Sequence, residues 1–135
     1  MDDDIRWLVA RTRIRELTAT YNRCFDAGDA EGFANTFVPD GALEIVGGPV
    51  IAGHEALRDM CRSTPRTVGH VTVNAVVTVD GDRATQRCTL LVLDRSSPPK
   101  LMATGSYDDD LVRTDEGWRF VRRVARLDGT PNTGA

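Results

Sequence analysis

Apolar residues recur at helical spacing through the first part of the chain, from Asp2 to Ala27, with arginine and glutamate between them. Gly28 follows this segment and suits the position just beyond a helix, where a left-handed backbone conformation is common. Asp29 can cap a second, short helix. The apolar residues of that second helix are Phe33, Ala34 and Phe37. The pattern therefore predicts two packed helices at the start of the chain.

Further along, the pattern changes to turns and strands. Residues 39–42 (PDGA) predict a turn, residues 43–46 (LEIV) a short strand, and the segment from Gly53 a third helix. Four longer strands follow at 70–79, 84–93, 101–112 and 118–127, with turn signals at 80–82 and 115–117. Helices followed by an antiparallel meander predict an α+β fold, in which helices cover one face of a curved sheet. We expect one domain over residues 1–128 and a disordered tail over 129–135.

The strand at 70–79 has one apolar and one largely polar face, because successive side chains of a strand point to opposite sides. The apolar face consists of Val71, Val73, Ala75, Val77 and Val79, and the polar face of His70, Thr72, Asn74, Val76 and Thr78. The apolar face suits packing against another layer, either the helices or a second subunit. The polar face could meet water or line a cavity, and the alternation alone leaves both open.

Asp26 is a candidate functional residue because it lies near the end of the first helix, where the helix dipole disfavours a negative charge. It could instead accept backbone N–H groups from the turn at Gly28. His70 could be an ordinary strand histidine, and Tyr21 a core tyrosine whose hydroxyl lies at an edge. If the three come together, a carboxylate that orients an imidazole beside a phenol provides a general base and a proton donor.

Composition excludes several classes of function. A chain of 135 residues fits one domain, and a net charge of -3 without a basic stripe argues against nucleic acid as a partner. The N-terminus is acidic, unlike a signal peptide, and no apolar run approaches the ~18 residues of a membrane span, so we expect a cytoplasmic protein without a membrane partner. Cys24, Cys61 and Cys88 lack metal or redox spacing and suit reduced, packed thiols. Because His54 and His70 lie on separate elements and no cysteine has ligand spacing, we expect no metal site.

Four segments, in this order, carry a family resemblance: YNRCFDAGDAEGFANTFVPDGALEIVGGPVIAGHEAL, GHVTVN, TGSYDDDLVR and GWRFVRR. On these segments the chain resembles the SnoaL-like branch of the nuclear transport factor two-like superfamily, over about residues 5–128. The resemblance implies a cone-shaped fold, a cystatin-like α+β roll in which a strongly curved antiparallel sheet wraps around N-terminal helices and leaves an apolar, open-mouthed pocket. It also implies a homodimer through the outer face of the sheet.

The resemblance also suggests a site. Asp26 and His70 fall on the Asp–His pair of the bile-acid dehydratase and the hexachlorocyclohexane dehydrochlorinase, and Tyr21 falls on a tyrosine of the bile-acid dehydratase. It implies His70 as the general base, Asp26 as its orienting partner and Tyr21 as a hydrogen-bond donor. Candidate pocket residues are Phe25, Phe37, Thr72 and Asn74. The implied function is a cofactor-independent, dehydratase-like lyase or isomerase that acts on a hydrophobic, oxygenated small molecule such as a steroid, terpenoid or polyketide.

Other members of the superfamily match less well. Scytalone dehydratase uses a second histidine that has no counterpart here, since His54 suits an exposed position at the start of the third helix. The aspartate base of ketosteroid isomerase falls on Ile45, beside Glu44. The Asp–Arg–Asp network of limonene epoxide hydrolase could be supplied by residues 108–110 and Arg122, although three successive aspartates suit a solvated strand end. A polyketide cyclase, a non-catalytic ligand-binding or interaction module and the normally longer small subunit of a ring-hydroxylating oxygenase are the alternatives.

Overall fold

The computed structural model describes residues 2–129, which form three helices and six strands. The helices are α1 (Asp3–Ala27), α2 (Ala30–Ala34) and α3 (His54–Ser63). The strands are β1 (Phe37–Ile45), β2 (Val50–Ala52), β3 (Val68–Asp80), β4 (Arg83–Asp94), β5 (Lys100–Thr114) and β6 (Gly117–Leu127). The tail predicted at 129–135 lies, beyond Gly129, outside the described residues. Within residues 2–129, no helix combines the length and the apolar character needed to cross a membrane.

Helix α1 begins and ends at the residues that the sequence signals predict. The Asp2 side chain accepts a hydrogen bond from the Ile5 N–H at 3.1 Å, and Gly28 adopts the left-handed conformation (φ 74°) after the last helical residue. The buried residues of α1 recur every three or four positions: Ala10, Ile14, Leu17, Thr18, Tyr21 and Phe25. Its first turns differ from the prediction, because Ile5, Leu8 and Val9 are exposed and the apolar face is buried only from Ala10 onward.

The segment after α2 contradicts two predictions. Phe37 does not belong to the second helix: α2 ends at Ala34, and Phe37 is the first residue of β1. The turn predicted at 39–42 also lies within β1, where the pairing with β6 shifts register between Phe37 and Ala42. Proline and glycine are tolerated in a strand at such an irregularity, so turn-forming residue types were misleading here.

The six strands form one sheet in the order β2-β1-β6-β5-β4-β3. Neighbouring strands pair antiparallel except β1 and β6, which run parallel. The sheet is curved and does not close on itself, and α1 packs against β3 and β6. The predicted α+β fold, with N-terminal helices against a curved sheet, is therefore confirmed, with the one parallel pair as an amendment.

The strict alternation predicted for β3 fails at Asn74. This residue has a left-handed backbone conformation (φ 58°), and the pairing of β3 with β4 shifts register between Val73 and Val76. One extra residue in a strand exchanges its two faces. The more buried positions are His70 and Thr72 before Asn74 and Ala75, Val77 and Val79 after it, whereas Val71, Val73 and Val76 are exposed. The bulge therefore splits the predicted apolar face between the core and the outer surface.

Candidate active site

Asp26 and His70 come together where the end of α1 meets the start of β3. The Asp26 Oδ1 atom lies 2.6 Å from His70 Nδ1, and Asp26 Oδ2 accepts a hydrogen bond from the His70 backbone N–H at 3.0 Å. Because an ionised carboxylate can only accept, Nδ1 of the neutral ring carries the proton and Nε2 keeps its lone pair. The two side chains are 9% and 17% exposed, for His70 and Asp26 respectively, so solvent screens their contact only weakly.

Two arginines cap the end of α1 next to Asp26. Arg66 donates to the Phe25 carbonyl at 2.9 Å, and Arg95 donates to the carbonyls of Asp26 at 3.1 Å and Val68 at 3.3 Å. These cations lie at the negative end of the helix dipole, so they offset the charge of Asp26, and the two hydrogen bonds from His70 further stabilise the carboxylate. Arg66 and Arg95 stand 40 and 69 residues from Asp26, and no local pattern marks either of them.

A cavity of about 480 Å³ lies beside this pair, between α1 and the strands β3 and β4. The Phe25 ring stacks on the His70 imidazole, with ring centres 4.3 Å apart and planes inclined by 20°. Besides the pair itself, the lining includes polar side chains of Thr18, Asn22, Thr72, Asn74 and Gln86. A wider groove of about 1500 Å³ lies along the N-terminal half of α1, but neither Asp26 nor His70 lines it. The smaller cavity is therefore the candidate site.

Tyr21 lies in the aromatic core and is not among the residues that line the cavity. Its side chain is fully buried, and its hydroxyl oxygen lies 3.3 Å from that of Tyr107. Burial and the neighbouring Tyr107 raise the pKa of Tyr21 well above its ordinary value. The structure thus brings two of the three predicted site residues together and leaves the third in the core.

The four predicted pocket residues occupy different positions. Thr72 and Asn74 line the cavity, and Thr72 Oγ1 accepts a hydrogen bond from Asn22 Nδ2 at 3.1 Å. Phe25 supports the imidazole of the site histidine from the core. Phe37 is 2% exposed and packs in the core, outside the cavity lining, because it starts β1 instead of extending a helix.

A buried ion pair lies next to the cavity wall, and its arginine is not the one that the sequence suggested. Arg123 Nε and Nη2 donate to Asp109 Oδ1 and Oδ2 at 2.9 and 3.2 Å, and both side chains are 0% exposed. Gln86 Nε2 donates to Asp109 Oδ2 at 2.9 Å. Burial raises the pKa of Asp109, and the guanidinium and the amide act in the opposite direction. We assign the ionised form to Asp109 because both oxygens accept from the guanidinium.

The sequence suggested that residues 108–110 are a solvated strand end, but they are not uniformly exposed. Alternation along β5 turns Asp109 inward, whereas Asp108 remains half exposed. The buried partner of Asp109 is Arg123, whereas Arg122 pairs with Glu44. Alternation along β6 would have selected Arg122, because a register shift between Phe120 and Arg122 exchanges the two faces of that strand. No local pattern distinguishes these two arginines. Neither member of the buried pair lines the cavity, so their arrangement does not supply an epoxide hydrolase site there.

Comparison with known proteins assigns the family. A family model described as a SnoaL-like domain matches residues 6–124. The chain belongs to the SnoaL-like family. This SnoaL-like chain is 30% identical over 122 residues to the uncharacterized protein Rv2910c of Mycobacterium tuberculosis, and the match covers 84% of this chain and 82% of that protein.

Two solved structures resemble the SnoaL-like chain over most of its length. The D26N variant of Rv3472, a protein of unknown function from Mycobacterium tuberculosis, has a TM-score of 0.89 and 34% identity, covering 95% of this chain and 77% of that one. An NTF2-like protein with a cystatin-like fold from Novosphingobium aromaticivorans has a TM-score of 0.88 and 32% identity, covering 96% of this chain and 88% of that one. These matches confirm the resemblance and the fold, and they name no substrate.

Other potentially reactive groups of this SnoaL-like chain have structural partners. His54 is half-buried, contrary to its predicted exposure, and its Nε2 lies 2.8 Å from the carbonyl oxygen of Phe37. Burial raises the pKa of the Cys61 and Cys88 thiols, which suits packed side chains. Among residues 2–129, no group of three or more His, Cys, Asp or Glu side chains is placed to hold a metal ion.

Proposed function

We propose that this SnoaL-like protein is a cofactor-independent lyase or isomerase of the dehydratase type, with His70 as its general base. The observation that carries the proposal is the 2.6 Å contact between Asp26 Oδ1 and His70 Nδ1, beside a cavity that both residues line. This contact favours the tautomer in which Nε2 can take a proton, and Asp26 then stabilises the imidazolium.

A dehydration at this site balances without a cofactor. His70 Nε2 removes a proton from a carbon next to a carbonyl group, and the C–H electron pair becomes a carbon–carbon double bond while the β C–O bond breaks. The imidazolium returns its proton to the departing oxygen, which leaves as water. In an isomerisation, the same proton would return to a different carbon. Either outcome needs the orientation that Asp26 provides.

The role of Tyr21 as a hydrogen-bond donor to the substrate stays a prediction. Its hydroxyl is paired with Tyr107 in the core, so contact with a ligand would require this pair to separate. Thr72 lies two positions from His70 on the same face of β3 and lines the cavity. We therefore propose the Thr72 hydroxyl as the nearer polar contact for a substrate.

The cavity supports a hydrophobic, oxygenated small molecule, such as a steroid, terpenoid or polyketide, as the substrate. Its volume of about 480 Å³ suits a small organic ligand. The lining combines the small apolar residues Ala19 and Ala75 with hydroxyl, amide and guanidinium groups, so it can contact both hydrocarbon and oxygen substituents. A polyketide cyclase would use the same base, and a non-catalytic binding module would use only the cavity.

Turnover assays on a panel of hydroxylated steroids, terpenoids and aromatic polyketides test the proposal. We expect at least one compound to raise the melting temperature and to lose or rearrange a hydroxyl group. His70→Gln should keep binding and abolish turnover, whereas His54→Gln, the matched control, should keep both. Binding without turnover, unaffected by His70→Gln, would support the binding module and contradict the enzyme.

We further propose that the protein is a homodimer through the outer face of the sheet. Val71, Val73 and Val76 are exposed at 38%, 42% and 67%, and apolar neighbours on a sheet surface favour coverage by a second subunit. Sedimentation at micromolar concentration should give twice the chain mass, and Val73→Arg should shift it toward the monomer. A wild-type monomer at that concentration would refute the dimer.

The state of the cysteines supports a cytoplasmic location as a proposal. Cys24, Cys61 and Cys88 are all free thiols. A reducing compartment keeps such thiols in this form. Fractionation of cells that produce the untagged protein should recover it in the cytoplasm, and recovery from an exported fraction would contradict the proposal.

A further inference from the structure

Two amide side chains in the cavity wall have oxygen atoms without hydrogen-bond partners. The described residues contain three buried side-chain nitrogen or oxygen atoms that make no hydrogen bond: Asn22 Oδ1, Gln86 Oε1 and Arg123 Nη1. Asn22 and Gln86 both line the cavity beside His70. Gln86 is 2% exposed, so its oxygen has little access to bulk water. Buried acceptors of this kind normally have a donor, which suggests that a ligand supplies it.

The orientation of the Gln86 amide follows from its neighbours. Its Nε2 donates to Thr18 Oγ1 at 3.0 Å and to Asp109 Oδ2 at 2.9 Å. Thr18 Oγ1 donates its own proton to the Ile14 carbonyl, and the Asp109 carboxylate can only accept, so both contacts require an N–H group. A reversed amide would turn its oxygen toward two acceptors. The atom of Gln86 that is left without a partner is therefore its oxygen, which can only accept a hydrogen bond.

Asn22 is less restricted than Gln86. Its Nδ2 donates to Thr72 Oγ1, but the threonine hydroxyl could equally donate to the asparagine oxygen if the amide turned over. Asn22 can therefore adapt to a donor or an acceptor on a ligand. Of these two amides, only Gln86 requires a hydrogen-bond donor on the ligand, so it can discriminate between ligands with and without such a donor.

The contacts of Gln86 and His70 with α1 indicate how far apart the two ends of a ligand in the cavity would lie. Gln86 contacts Thr18 of α1, whereas His70 contacts Asp26 of the same helix. Eight residues separate these positions, which corresponds to about 12 Å along the helix axis. A ligand that reaches both ends is therefore elongated, with the dimensions of three or four fused rings.

We propose that Gln86 is a specificity-determining residue that accepts a hydrogen bond from a hydroxyl group at the far end of an elongated, fused-ring substrate. The inference rests on the proposed function, because it concerns the same cavity. The substrate class that follows is a compound with a hydroxyl at one end of the ring system and the reacting carbon at the other. A substrate with a carbonyl or ether at the far end would leave Gln86 Oε1 without a donor.

Matched probes separate the contribution of the far hydroxyl from that of the ring system. The probes are dihydroxynaphthalene, dihydroxyanthracene and estradiol, each with a hydroxyl at both ends of the rings, and the monohydroxy counterpart of each. Dissociation constants are measured on the wild type and on Gln86→Met, which keeps the side-chain length and removes the amide. We expect the wild type to prefer the three-ring or four-ring diol over its monohydroxy counterpart by about tenfold. In Gln86→Met this preference should fall below about twofold, since the second hydroxyl has lost its acceptor.

A spectroscopic measurement on the wild type keeps the test independent of the variant's folding. Gln86 is the only glutamine in the sequence, so selective isotope labelling gives one side-chain carbonyl signal in NMR. Binding of the diol should shift this signal, and binding of the monohydroxy probe should leave it nearly unchanged.

Each contrary result has a distinct meaning. An equal preference for the diol in wild type and Gln86→Met overturns the role of Gln86 and leaves His70 as the proposed base. A Gln86 carbonyl signal that does not shift when the diol binds has the same meaning. Failure of every probe to bind the wild type overturns both the inference and the proposed small-molecule site.

Discussion

The substitution Asp26→Asn should invert the tautomer of His70. In the wild type, the carboxylate accepts the Nδ1 proton at 2.6 Å and leaves Nε2 free to act as a base. An asparagine amide keeps the shape, and its oxygen can still accept the backbone N–H of His70. Its NH2 group would then face Nδ1 and donate to it, so the ring proton would move to Nε2. The variant would thus hold the imidazole in place without a usable base.

The magnitude follows from the contact that is lost. A hydrogen bond to a charged group is worth about 1.5–3 kcal/mol, and the small exposure of both side chains leaves little solvent screening to reduce it. This range corresponds to a preference of about 10-fold to 150-fold for the Nδ1–H tautomer in the wild type. Because the amide restores a weaker hydrogen bond, we expect a loss of about 1–2 kcal/mol in the free energy of unfolding, or about 4–7 °C in melting temperature. Turnover should fall by about 10⁴, the effect of a wrong tautomer in the Ser-His-Asp triad.

NMR of protein with isotope-labelled imidazole nitrogens measures the tautomer directly, without a substrate. The chain has two histidines, and His54 is an internal control because its Nε2 faces the Phe37 carbonyl and must carry the proton. The wild-type spectrum should therefore show opposite tautomers at the two sites. Asp26→Asn should change the His70 signals and leave those of His54 unchanged. A His70 that is protonated at Nε2 in the wild type, or that keeps the same tautomer in the variant, would refute the dyad.

Three further predictions concern the structure around the site. Tyr21 and Tyr107 are the only tyrosines in the sequence, and burial raises the pKa of both. The stability that the neutral phenols contribute is present below pH about 10 and is lost as the pH rises further. Phenolate absorbance should therefore appear only as the protein unfolds, and a normal titration of the folded protein near pH about 10 would contradict this. Asp109→Leu should lower the free energy of unfolding by about 3–5 kcal/mol in denaturant titrations, because it leaves Arg123 buried without a counter-charge. The double variant with Arg123→Met should recover most of this loss, and a loss below about 1 kcal/mol in Asp109→Leu alone would contradict the reasoning. Arg95→Met removes hydrogen-bond donors to the end of α1 and should lower the free energy of unfolding by about 1 kcal/mol. It should also accelerate hydrogen exchange at the His70 backbone amide, which donates to Asp26, and unchanged exchange would exclude the capping role.

Local sequence signals determined the helical start of the chain and the family. The spacing of apolar residues in α1, its capping aspartate and Gly28 depend on near neighbours, so they could be read without a structure. The family resemblance pointed to Asp26 and His70, whose roles stay proposals. It did not show that the carboxylate also holds the His70 backbone N–H, a contact that depends on how β3 enters the sheet.

Tertiary structure alone decided which strand residues face the cavity. A single bulge at Asn74 exchanged the faces of β3, and alternation alone gives no sign of where such a bulge lies. Likewise, residues 39–42 have the composition of a turn but lie in β1, which pairs with the distant strand β6.

The polar contacts around the site also depended on the tertiary structure. Asp109 is buried because Arg123 and Gln86 meet it from neighbouring strands, and Arg95 reaches the end of α1 from 69 residues away. Local periodicity reports the preference of each segment, whereas burial, hydrogen-bond partners and cavity shape arise from contacts between residues that are distant in sequence. Packing brings these residues together and thereby decides which polar groups become a site.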